Sequence, residues 1–212
     1  MYDYHQTLGV LAGVVSLAAF IPYITSIVRK QKEPSRFVWL ILGGDTERTK
    51  PNRATWIIFS ATAIITLASY SSAVDGSAIW VARGYVITTT LVALLSIKYG
   101  MWNPGKFDLC ALGGCVATLG LWAISGSAGL ALLAILATEG IGILSTIKKM
   151  RDRVNPEQEN TLAWILSYTA SLLSLLIVDG WSFLSAAYPA YLTISSGTIA
   201  VLSLRKASTS SF

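Results

Sequence analysis

The chain has 212 residues, of which 53% are hydrophobic and only 13% charged, against about a quarter charged in an ordinary soluble domain. A soluble fold of this length cannot hide so much apolar surface, so composition excludes an ordinary cytosolic enzyme, a disordered chain and a nucleic-acid-binding domain. The formal net charge of +5 takes its meaning from where the cations lie.

A bilayer core of ~30 Å takes about 20 apolar helical residues. Seven runs meet that demand: 7–28, 54–74, 78–97, 109–125, 128–147, 161–178 and 183–204. Lipid cannot pair with backbone polar groups, so the runs must be helices. The expected fold class is an all-α integral membrane protein with seven transmembrane helices. No cation precedes the first run, so it does not read as a cleavable signal. After it comes a long basic loop, 29–53, in which Pro34-Ser35-Arg36-Phe37-Val38-Trp39 prefigures Pro51-Asn52-Arg53-Ala54-Thr55-Trp56. Segment 34–50 reads as a tandem insertion lying at the membrane interface, with Trp39 at headgroup depth. The fourth run is the shortest and carries Gly113, Gly114 and Gly120.

Fifteen of the sixteen Lys and Arg residues fall in loop 29–53, in 98–106, in 148–153 or just after the seventh run, at Arg205 and Lys206. The alternate connections carry only Asp75 and Asp179. Cytoplasmic loops retain Lys and Arg, so the amino terminus is expected outside and the carboxyl terminus inside, in a plasma membrane of the bacterial inner-membrane type. The basic pI of 9.3 is a topology signal and implies no nucleic-acid partner.

The chain also repeats itself. Tyr-Ile-Thr-Ser-Ile-Val-Arg-Lys-Gln-Lys-Glu from Tyr23 is echoed by Gly-Ile-Leu-Ser-Thr-Ile-Lys-Lys-Met-Arg-Asp from Gly142. A Pro-initiated polar start leads to Trp56-Ile57 in one copy and Trp164-Ile165 in the other. The helices that follow run to Val74-Asp75-Gly76 and Val178-Asp179-Gly180, and the third helices close on Leu95-Ser96-Ile97-Lys98 and Leu202-Ser203-Leu204-Arg205. Three helices is an odd number, so one extra crossing lets the second copy enter in the same orientation as the first. The expected organisation is 3+1+3: a first repeat at 1–106, a linker helix at 107–127 and a second, parallel repeat at 128–212, a known transporter plan.

This plan, with Phe20-Ile21-Pro22-Tyr23 in span 1 and the Pro-to-Trp openings of spans 2 and 6, resembles the SWEET/PQ-loop clan of small membrane proteins. The resemblance covers nearly the whole chain. It implies a facilitator that moves a small polar solute, sugar or vitamin-like, by alternating access between two helical bundles.

An ionisable residue inside a membrane helix is a functional candidate, because burying it costs about 2.5–3.5 kcal/mol even on the lenient insertion scale. Glu139 lies about 17 Å into span 5 at 1.5 Å per residue, near the midplane, among Ala137, Thr138, Gly140 and Gly142. It reads either as a substrate- or cation-binding carboxyl or as a protonated acid bonded to a neighbouring helix. Arg83 lies ~8 Å into span 3. It can snorkel towards Asp75 or pair with Glu139 across the bundles as a gate. Spans 3 and 7 supply hydroxyls at Thr88, Thr89, Thr90, Thr193, Ser195, Ser196 and Thr198, with Tyr85, Tyr188 and Tyr191 nearby. The expected solute site comprises Glu139, Pro22, Tyr85, Thr88, Thr89, Ser195 and Ser196.

Catalysis finds little footing. His5 is the only histidine, which argues against a Ser–His pair or a multi-histidine metal site. Cys110 and Cys115 lack Cys-x-x-Cys spacing, and no glycine loop ends in the Lys-Ser/Thr of a phosphate loop. Neither catalytic residue, metal nor cofactor is expected. The expected partners are the lipid bilayer and a small polar solute, and the sequence leaves a homo-oligomer open. The rival reading is a non-transporting membrane receptor or scaffold that works through the basic loop.

Overall fold

The computed structural model describes residues 4–28, 51, 53–74, 76–102, 104–152, 161–178 and 180–209. Asp75, Asp179 and segment 34–50 lie outside the described residues. Among those described, every regular element is helical: α1 (Tyr4–Ala19), α2 (Ile21–Val28), α3 (Arg53–Ala73), α4 (Ile79–Tyr99), α5 (Lys106–Ser125), α6 (Ala128–Asp152), α7 (Thr161–Leu176) and α8 (Phe183–Thr209). The helices coincide with the apolar runs of the sequence to within a few residues. Helices α3 and α7 both stop just short of a Val-Asp-Gly phrase.

One expected run is broken. Span 1 is two helices, because Pro22 has no N–H to offer and its ring crowds the carbonyl four residues earlier. The Phe20 N–H turns back to the Leu17 carbonyl at 3.3 Å, and the helix resumes with Ile24 N–H on the Phe20 carbonyl at 2.9 Å. By length and composition, five stretches are apolar and long enough to cross a membrane: Tyr4–Thr25, Arg53–Ala73, Ile79–Tyr99, Asp108–Ser125 and Phe183–Leu204. The apolar parts of the other two, Ala128–Leu144 and Thr161–Leu176, are shorter.

Six helical rods form a ring. Going round it, α1 packs on α4, α4 on α3, α3 on α6, α6 on α8, α8 on α7, and α7 returns to α1. Helix α5 stands outside, against α6 and α3, where Ala111 and Cys115 join Ile58, Ile65 and Ile135 in one cluster. The α1–α4 seam is close because its residues are small. A Cβ at Gly13 would come within 2.9 Å of the Trp80 carbonyl oxygen, and one at Gly84 would collide with the Ser16 hydroxyl.

Polarity runs inside out. Ile124 is 90% exposed and Ile194 71%, while Ser16, Ser69, Ser96, Ser171 and Ser174 are fully buried. Buried hydroxyls need a partner, and the helices provide it. Ser16 donates to the Gly13 carbonyl at 2.7 Å, Ser69 to Ile65 at 2.8 Å and Ser96 to Ala93 at 2.7 Å. The main apolar core, which includes Tyr70, Ala78, Leu132, Val178 and Tyr188, fills the half of the ring at the amino-terminal end of α1. At the opposite end Arg53 N–H bonds the Met101 carbonyl at 2.9 Å, and its Nε bonds the Ser96 carbonyl at 3.0 Å. These bonds tie the start of α3 to the end of α4.

Candidate functional site

Glu139 comes from the middle of α6 and is partly buried. Its Oε1 accepts a hydrogen bond from Thr66 Oγ1 of α3 at 3.3 Å. Thr62, one turn back on α3, lies beside the same carboxyl, but its hydrogen goes to the Phe59 carbonyl at 3.0 Å. One turn beyond Glu139, Gly142 lets the Phe59 ring come close, since a Cβ there would lie 3.2 Å from Phe59 Cε1. Tyr85, Tyr188, Tyr191 and Cys115 are the carboxyl's electrostatic neighbours. Elements α3, α4, α5 and α8 thus converge on this one acid of α6.

Aromatic rings adjoin it on the side towards the basic loops. Phe20 meets Tyr85 edge-on at 5.7 Å between centroids and Trp56 at 6.3 Å. Trp56 meets Phe59 at 5.7 Å and Tyr23 at 5.0 Å, and its indole N–H donates to the Tyr23 hydroxyl at 3.1 Å. Phe20, at the break, and Tyr23, just after it in α2, both meet Trp56 of α3. All five residues are intermediate in burial.

The other expected site residues lie as follows. Pro22 is buried at the break. Thr88 and Thr89 are buried, and their hydroxyls donate to the carbonyls of Gly84 at 2.9 Å and Tyr85 at 2.7 Å. Ser195 and Ser196 are buried and both donate to the Leu192 carbonyl. These hydroxyls therefore offer lone pairs rather than hydrogens. Arg83 is exposed, with its guanidinium 4.5 Å from the centre of the Trp80 ring; the structure does not bring it to Glu139. Two side chains at the carboxyl, Thr66 and Phe59, are absent from the sequence-based site. The signal for Thr66 was its spacing from Thr62, which places both hydroxyls on one face of a helix; Phe59 carried no comparable signal.

Fold and site together define an all-α bundle with apolar walls and a carboxyl at its centre. No protein-family model, curated protein or solved structure matches this chain.

Proposed function

We propose that this protein is a small seven-span membrane transporter, built as two parallel three-helix repeats on a linker helix, which moves a small polar solute by alternating access. The carrying observation is the helix neighbourhood. Exchange α1 for α6, α3 for α7 and α4 for α8, and every contact of the ring falls on another. The α1–α4 seam maps to α6–α8, α3–α4 to α7–α8, and α1–α7 to α6–α3. Two copies related in this way can rock about the shared seams, with α5 as the connecting rod. The inside-out polarity supports a bilayer as solvent, since exposed Ile and Leu are costly in water and not in lipid.

On this reading the amino terminus faces outward and the basic loops face the cytoplasm. The SWEET/PQ-loop resemblance accords with the same plan. Glu139, with Tyr85 and the aromatic residues around it, is the site. The test is uptake by proteoliposomes holding the purified chain, screened against sugars, vitamins and amino acids with and without a pH gradient. Saturable uptake of at least one solute, lost in Glu139→Gln while the helical circular-dichroism signal is retained, is the expected result. Failure of every solute to move would sink the reading. The receptor or scaffold alternative would then be tested by deleting 37–50.

A further inference from the structure

We propose that the solute taken at Glu139 is a small organic ammonium cation, held between the carboxylate of α6 and the aromatic wall of α2, α3 and α4. The inference rests on the transport reading for its purpose, but its chemistry stands on the site. Three observations carry it. The first is an acid beside which no described side chain supplies a counter-charge. Glu139 accepts a hydroxyl bond from Thr66, and the four Lys and Arg residues whose side chains the structure describes are engaged or placed elsewhere. Arg53 bonds the Ser96 carbonyl, Arg83 lies over Trp80, Lys98 lies over Tyr99, and Lys106 is exposed. A carboxylate in a low-dielectric interior is stable only with a partner of opposite charge or a set of donors, and the hydroxyls of Thr66 and Thr62 are a thin set.

The second observation is the ring cluster. Phe20, Tyr23, Trp56, Phe59 and Tyr85 pack within 5.0 to 6.3 Å of one another in a connected chain, and none of the five residues is fully buried. Aromatic faces attract a cation through the ring quadrupole, and quaternary ammonium groups are the ligands such cages take. Third, the two halves sit on opposite sides of the proposed repeat boundary. The rings belong to α2, α3, α4 and the residue before α2, while the acid belongs to α6 of the other copy. Phe59 and Gly142 bring the halves into contact. A cation bridging them would draw the bundles together, whereas a neutral sugar would leave the carboxylate without a counter-charge.

The experiment uses the purified full-length chain with tritiated choline as the probe, first as binding in detergent and then as uptake into proteoliposomes. Tetramethylammonium and glucose serve as competitors. Saturable choline binding, displaced by tetramethylammonium and not by glucose, is expected. Glu139→Gln should abolish it, Glu139→Asp should retain it within a few-fold, and Trp56→Leu should weaken it about tenfold. Size-exclusion profiles matching the wild type qualify each variant; where Trp56→Leu fails this check, Trp56→Phe takes its place. Wild-type chain that ignores choline, or Glu139→Gln that binds it normally, overturns the proposal. Choline bound but never taken up leaves the cation site standing and removes transport. Uptake of a neutral solute with no choline binding does the reverse.

Discussion

Thr118 differs from the other interior hydroxyls. Thr88, Thr89, Thr138 and Thr193 all return their hydrogen to a carbonyl of their own helix, whereas the buried Thr118 oxygen has no partner among the described residues. An unpaired buried hydroxyl costs about 1–3 kcal/mol. Thr118→Val keeps the shape and removes that cost. It should raise the thermal midpoint of the detergent-solubilised protein, and a lowered midpoint would mean that the hydroxyl has a partner after all. The opposite sign is expected at Gly84, where any Cβ lands on the Ser16 hydroxyl. Gly84→Ala should destabilise by ~1–3 kcal/mol through overpacking. Ser16→Gly in the same chain should recover much of the loss, a coupling read from a double-mutant cycle of thermal unfolding.

At the scale of elements, the apolar runs were legible because, on the membrane reading, nothing but a helix satisfies a backbone buried in hydrocarbon. Their partners were not. Helices apolar on every side carry no single face that names a neighbour, so the seams α1–α7 and α3–α6 could not be read from periodicity. Glu139 stood out as the lone acid of its run, but Thr66, its hydrogen-bond donor, looked like any hydroxyl in a membrane helix. Arg83 had a long stem and more than one reachable target, and the sequence could not choose Trp80. The break at Phe20 was hidden in an unbroken apolar run, although Pro22 was in plain view. Pro22→Ala supplies the missing N–H and should fuse α1 with α2, turning Phe20 and Tyr23 away from Trp56. The variant should gain up to ~3 kcal/mol of stability over the wild type, yet, on the transport reading, take up solute more slowly. Equal uptake at higher stability would show that the break has no part in transport.

Across the whole molecule, three hydrogen bonds among the described residues join the proposed copies at the end away from the basic loops: one between His5 Nδ1 and the Ile177 carbonyl at 3.2 Å, and a matched pair. The Tyr70 hydroxyl donates to the Ser185 carbonyl at 2.8 Å, and the Ser174 hydroxyl to the Ala78 carbonyl at 3.2 Å. Both are buried. Their positions correspond in the repeat: Tyr70 precedes Val74 by the same step as Ser174 precedes Val178, and Ala78 precedes Ser96 as Ser185 precedes Ser203. Each bond thus runs from the second helix of one copy to the start of the third helix of the other. If the two halves rock, this pair must break together whenever that end opens, and each bond contributes about 0.5–1.5 kcal/mol to keeping it shut. Tyr70→Phe with Ser174→Ala removes both hydroxyls with little change of shape. In a background with Cys110 and Cys115 replaced by Ala, a cysteine introduced at the buried Leu136 then reports on opening. Its reaction with a maleimide added from the amino-terminal side should quicken about tenfold in the double variant, because the population shifts towards the open form. A labelling rate that does not change would mean that this end never parts, and a bundle fixed there cannot alternate.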